Sequence, residues 1–144
     1  MTVYEPAEDS FLLKNYIQEL DLEGKKALDV GTGSGIIGLA MAERGAEVTA
    51  IDVNPEAVEE TKRKAEEKEI DIEVIESDLF ENVEAKFDLI VFNPPYLPGE
   101  KGAGDEEIWR GGEKGIELTE RFLEEIDKYL HEEGFALLIL STRA

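Results

Sequence analysis

Apolar and polar positions in this chain fall into blocks that switch between two periods. Over residues 6–20, Phe11, Leu12, Leu13, Tyr16, Ile17 and Leu20 recur at helical spacing and predict an amphipathic helix with one broad apolar face. "KKALDV" (25–30) predicts a short buried strand, and "SGIIGLAMAERG" (34–45) a helix of small residues that stops at Gly45. "AEVTAID" (46–52) predicts a second strand. "NPEAVEETKRKAEEKE" (54–69) predicts a helix with Asn54 as N-cap and Pro55 in its first turn. "IDIEVIES" (70–77) alternates apolar and acidic residues, as a strand with one solvated face does. "FDLIVF" (87–92) is a continuous apolar strand, and "LPGEKGAGDEE" (97–107) a loop. "KGIELTERFLEEIDKYL" (114–130) carries Leu118, Phe122, Ile126 and Tyr129 at helical spacing, Gly134 ends that helix, and "FALLILS" (135–141) is a fifth strand.

Strands alternating with helices predict a doubly wound α/β fold, with a mainly parallel sheet and helices on both faces. Residues 1–144 read as a single domain, with neither an internal repeat nor a linker. The run "FALLIL" would be adhesive at a sheet edge, so further strands or another chain are expected to cover it.

Composition then narrows the function. The formal charge of -20 disfavours direct binding to nucleic acid, whose affinity comes largely from Lys and Arg displacing counterions. No apolar run approaches the roughly 20 residues that cross a bilayer. The acidic start "MTVYEPAEDSF" lacks the apolar core of a secretory signal, so the chain is expected to be soluble and cytoplasmic. With no cysteine and only His131, no metal site is expected, and His131 reads as a solvated surface residue.

Doubly wound sheets bind ligands beyond the carboxyl ends of their strands. Three such ends carry suitable chemistry. In "LDVGTGSGIIG", Gly31, Gly33 and Gly35 permit a tight turn and close backbone approach, with Asp29 just before them. In "AIDVNP", Asp52 is placed to accept both hydroxyls of a ribose, since Asn54 already fills the capping position. In "ESDLF", Asp78 is placed to accept from an adenine amino group while Leu79 packs on the ring. These features leave the cofactor open, because "GSGIIG" also satisfies the dinucleotide fingerprint with Asp52 downstream. Against a dehydrogenase, no second domain for a substrate is evident, and the fourth strand end is Asn93-Pro94-Pro95-Tyr96.

That tetrapeptide suits methyl transfer to an amide or amino nitrogen. The Asn93 carboxamide and the Pro94 carbonyl offer two acceptors for a planar N–H₂ group. Pro94 and Pro95 fix φ and remove competing donors, and Tyr96 can stack on the target. Carbonyl dipoles near a nitrogen that becomes positive favour the transition state.

Taken together, "LDVGTGSG", "IDVNPEA", "SDLF" and "NPPY" resemble class I S-adenosylmethionine-dependent methyltransferases of the N-methylating branch. "VYEPAEDSFLL" (3–13) and "IWRGGEKGIEL" (108–118) resemble, more narrowly, the HemK-like release-factor glutamine N5-methyltransferases of the archaeal and eukaryotic branch. The resemblance implies a Rossmann-like fold, S-adenosyl-L-methionine as cofactor, and the glutamine of a GGQ motif in a translation release factor as acceptor. It implies cofactor contacts at Ser10, Asp29, Gly31, Asp52, Asp78 and Leu79, an amide contact at Asn93 framed by Pro94, Pro95 and Tyr96, and a lid segment over the acceptor that includes Trp109. It also implies a small zinc-binding activator protein as partner, for which "IDIEVIES" offers a strand edge. The last helix and two strands usual in that family have no counterpart in the pattern. A nucleic-acid adenine N6-methyltransferase and a non-catalytic cofactor-binding domain are the alternative readings.

Overall fold

The computed structural model describes the backbone of residues 6–92 and 117–138, with side chains from residue 12 onward. Among the described residues, five strands form one parallel sheet: β1 (Lys26–Val30), β2 (Glu47–Asp52), β3 (Glu73–Glu76), β4 (Phe87–Phe92) and β5 (Leu130–Leu138). Their order across the sheet is β3-β2-β1-β4-β5. The chain therefore runs outward from β1 to β3 and then returns to the other side of β1. The crevice at that reversal lies between the carboxyl ends of β1 and β4, where Val30 pairs in register with Phe92.

Two cores sandwich the sheet. Helices α1 (Pro6–Ile17) and α2 (Ile36–Glu43) cover one face through Leu13, Ile17, Ile37, Ala40 and Met41, packed on Ala27, Val48, Leu89 and Val91. On the other face, α4 (residues 117–125) and a 3₁₀ turn (Ile126–Tyr129) bring Phe122 and Ile126 onto Leu28, Ile90 and Phe92. Phe122 is fully buried, with ring centroids 4.4 Å from Phe92 and 5.6 Å from Phe80. Tyr129 stacks on Phe80 at 4.2 Å. The predicted face of Leu118, Phe122, Ile126 and Tyr129 is the one that packs. Helix α3 (Pro55–Glu67) packs along β2 and β3 with Val58, Thr61 and Ala65 buried.

Local punctuation acts where the sequence placed it. The Asn54 side chain accepts from the Glu56 N–H at 2.9 Å, capping α3 with Pro55 in its first turn. Gly45, at φ 97°, follows α2. His131 is exposed.

Three expectations change. The broad face predicted for α1 is narrower: Leu13 and Ile17 are buried, whereas Leu12 and Tyr16 are exposed because only one stripe of a helix reaches the sheet. The third strand spans only Glu73–Glu76 at the sheet edge, and Val74 and Ile75 are both half-buried rather than alternating. Gly134 does not end a helix. It lies inside β5, whose register with β4 slips between Phe87 and Leu89 so that Leu130 and Phe135 take consecutive pairing places. A Cβ at Gly134 would stand 2.9 Å from the Phe87 carbonyl oxygen, so this glycine lets the two backbones meet at the irregularity.

Candidate active site

The carboxyl ends of β1, β2 and β3 lie side by side, with Val30 opposite Ile51 and Asp52 opposite Glu76. The turn after β1 is a run of left-handed glycines: Gly31 at φ 74°, Gly33 at 55° and Gly35 at 86°. Gly31 and Thr32 both donate their N–H to the Ile51 carbonyl at 2.9 Å, which ties the turn to β2. A Cβ at Gly33 would meet nothing within 4 Å, so the turn presents open backbone there. Side chains at these φ values would be strained, which is why the turn is glycine-rich.

Asp29 is buried under this turn. Its Oδ2 accepts from the Thr32 hydroxyl at 2.8 Å and from the Gly38 N–H at 3.0 Å, near the start of α2. Burial pushes its pKa up from 3.8 to about 6. The two hydrogen bonds oppose that rise, and the nearby charge of Asp52 adds to it. Gly38 keeps α2 close: a Cβ there would stand 3.2 Å from Asp29 Oδ2.

Asp52 caps both neighbouring turns. Its Oδ2 accepts from the Gly33 N–H at 2.9 Å and its Oδ1 from the Asn54 N–H at 2.9 Å. Asn54 caps α3, yet Asp52 is engaged as well. The expectation of an unoccupied Asp52 is corrected on this point. Each carboxylate oxygen accepts one N–H and retains a lone pair for a ligand hydroxyl.

The turn after β3 is organised by Ser77, which the sequence pattern did not single out. Buried Ser77 donates its N–H to the Asp52 carbonyl at 2.9 Å and its hydroxyl to the Leu79 carbonyl at 2.7 Å. It also accepts from the Asn82 N–H at 3.0 Å. These bonds hold Leu79 at φ 53°, an unusual conformation for a branched residue. The Leu79 side chain is 5% exposed and belongs to the core with Phe80 and Val83. It therefore offers little surface for stacking on a ring. Its N–H, by contrast, meets no acceptor among the described residues. Beside it, the half-exposed Asp78 carboxylate pairs through Oδ1 with Arg121 of α4 at 3.2 Å. An N–H donor next to a carboxylate acceptor matches the N1 and amino edge of adenine. The apolar surface at this rim belongs to Val53, 65% exposed between Asp52 and Asn54, which no periodic signal could have marked.

Gly31, Gly33, Gly35, Asp29, Asp52, Asp78 and Leu79 thus converge on the carboxyl ends of three adjacent strands. The backbone of Ser10 lies in α1, and its side chain falls outside the described set. Asn93, Pro94, Pro95, Tyr96 and Trp109 lie outside the described residues. Among the described residues, no cluster of His, Cys, Asp and Glu could hold a metal.

Known proteins decide which ligand this geometry serves. The family described as "Methyltransferase small domain" matches residues 8–143. The putative protein N5-glutamine methyltransferase MJ0928 of Methanocaldococcus jannaschii is 43% identical over 97% of this chain and 73% of its own length. Methyltransferase HEMK2 of Homo sapiens is 36% identical over 95% of this chain and 71% of its own. The chain belongs to the HemK-like protein N5-glutamine methyltransferases. The release factor glutamine methyltransferase of Deinococcus radiodurans is 35% identical, and the chain spans 53% of it. Among solved structures, the 16S rRNA N2 G1207 methyltransferase of T. thermophilus, in complex with AdoMet and guanosine, superposes with a TM-score of 0.74 at 26% identity. That superposition covers 97% of this chain and 36% of that one. The fold is thus the Rossmann-like class I methyltransferase fold, and the cofactor of this HemK-like enzyme is S-adenosylmethionine. The donor set is chemically compatible with it: open backbone at Gly33, a carboxylate with remaining lone pairs at Asp52, and the Asp78 carboxylate beside the Leu79 N–H.

Proposed function

We propose that this HemK-like chain methylates the side-chain amide of the glutamine in a GGQ motif of a translation release factor. The observation that carries the reading is the sheet order. It sets the end of β4 beside the glycine turn of β1, and the sequence continues from Phe92 directly into Asn93-Pro94-Pro95-Tyr96. Bound S-adenosylmethionine supplies an electrophilic methyl carbon on a sulfonium. The chain's own groups do the positioning. Asp52 accepts from the ribose hydroxyls. Asp78 and the Leu79 N–H would read the adenine edge, and exposed Val53 would offer apolar surface to the ring. The glycine turn would hold the amino-acid end, with buried Asp29 bracing that turn from beneath through Thr32 and Gly38.

The Asn93 side-chain oxygen and the Pro94 carbonyl are the groups assigned to accept from the two N–H groups of the acceptor amide, which would position its nitrogen for methyl transfer. Tyr96 is assigned to the face of that amide and Trp109 to a cover over it, as the family resemblance implies. No strong base is required, since the proton can leave late to solvent. A net charge of -20 suits a protein acceptor better than a polynucleotide. It also favours a basic partner, and β3, with no further strand beside it among the described residues, suits strand addition by a small zinc-binding activator. No helix among the described residues is long and apolar enough to cross a membrane. With a translation factor as acceptor, the enzyme works in the cytoplasm.

The test is incubation with labelled S-adenosylmethionine and, separately, a class I release factor, its GGQ→GGA variant, ribosomal protein uL3 and a DNA duplex. Label confined to the GGQ glutamine by mass spectrometry is expected. Label on DNA, or equal label on the GGA variant, would refute the reading. The uL3 arm matters because uL3 glutamine methyltransferases are also similar to this chain, at 32% identity for that of Francisella tularensis.

A further inference from the structure

The glycine turn is gripped from outside by a helix that the cofactor reading does not use. Thr61, fully buried on α3, donates its hydroxyl to the Gly33 carbonyl at 3.3 Å. Gly33 is therefore held at both ends of its residue, since its N–H is on Asp52 at 2.9 Å. A Cβ at Gly35 would stand 3.0 Å from both Thr61 Cγ2 and Oγ1, so the Thr61 side chain also fills the space behind that glycine. One turn further along the same face, Lys64 Nζ donates to the Ser34 carbonyl at 3.1 Å, steadied by Glu60 at 3.3 Å.

We infer that Thr61 and Lys64 are positioning residues for the cofactor, acting through the backbone of the glycine turn. The reason lies in peptide geometry. In a planar trans peptide the N–H points opposite to the carbonyl. Drawing the Gly33 and Ser34 carbonyls toward α3 turns the N–H groups of Ser34 and Gly35 away from it. The Gly35 N–H is used within the turn, on the Thr32 carbonyl at 2.8 Å. The Ser34 N–H has no partner among the described residues and is the donor left facing away from α3. Thr61 thus sets the direction of that donor, and Lys64 holds the next peptide plane. The buried Thr61 is a threonine because the site needs both a hydroxyl for Gly33 and a methyl behind Gly35. The contacts that Thr61 and Lys64 make here are with the turn's backbone and the space behind Gly35.

This inference rests on the proposed binding of S-adenosylmethionine. Its test is calorimetric titration of S-adenosylmethionine into the parent, T61V, T61S and K64M, with the ligand-free thermal midpoint of each. T61V keeps shape and loses the donor. Its affinity is expected to fall roughly 3- to 10-fold, the range for losing one intramolecular hydrogen bond. T61S, which keeps the hydroxyl, is expected to stay within about threefold of the parent. K64M alters a partly exposed side chain, keeps the fold, and is expected to lose roughly 2- to 5-fold. In the methylation assay KM for the cofactor rises while kcat holds, the signature of lost uniform binding. T61V with a lowered midpoint and parental affinity would overturn the inference, because its role would be structural alone. If T61V does not fold, parental affinity in K64M overturns it. If the parent itself binds no S-adenosylmethionine, the functional reading fails along with it. Parental binding with indifferent variants sinks the clamp alone.

Discussion

Replacing Asp29 by asparagine isolates the cost of keeping a carboxylate under the glycine turn. Ionised Asp29 is buried, and its pKa lies at about 6 against 3.8 for the unfolded chain. Between those values the folded state holds the proton more tightly than the unfolded state. The stability associated with this group is fully present below pH 3.8 and is lost as the pH rises through about 6. A displacement of that size corresponds to about 3 kcal/mol between its two ends. The D29N variant would have no such titration. Both donors to Asp29 converge on Oδ2, so the single carbonyl oxygen of an asparagine side chain can accept from Thr32 and Gly38 together. The new amide N–H₂ at the other position needs an acceptor, and leaving it unmet costs about 1–3 kcal/mol. The absolute stability of D29N at pH 7 is therefore a balance. The pH dependence is the cleaner quantity. Urea unfolding of parent and D29N from about pH 4 to 7.5 is expected to give a difference that moves in favour of D29N by about 2.5 kcal/mol, most of it between about pH 4 and 6. Comparing the two proteins cancels the general titration of the other carboxylates. Parallel stability curves over that range would refute the account of Asp29.

Three further outcomes follow from the same geometry. D52A removes the acceptor shared by the Gly33 and Asn54 N–H groups and should weaken S-adenosylmethionine binding by about tenfold or more, about 1.4 kcal/mol, measured by calorimetry. N93A should abolish methyl transfer to the release factor while leaving cofactor affinity within about twofold of the parent, since the carboxamide is assigned to the acceptor. Transfer at the parental rate would remove Asn93 from the mechanism. F122A truncates a fully buried ring stacked on Phe80 and packed at a tilt against Phe92, and should cost about 3–5 kcal/mol of stability in urea unfolding.

The periodic signals in this sequence determined the architecture because each rests on local physics. The strand signals at 25–30, 46–52 and 87–92 alternate with helical ones, and parallel strands so connected form this sheet. The glycines of the β1 turn, the Asn54 cap and the carboxylates at two strand ends were likewise legible, since φ preference and capping are properties of the residue itself. Tertiary contacts settled what neighbours far along the chain impose. The Leu79 side chain went to the core, because Ser77 bonds across that turn. Asp52 gained two backbone donors, one from a turn 19 residues before it and one from 2 residues after it. β5 began at Leu130 because pairing with β4 outweighed the helical spacing that ran through it. The grip of Thr61 on Gly33 spans 28 residues, and no local pattern can announce a contact made only when β2 and α3 fold back over the first turn.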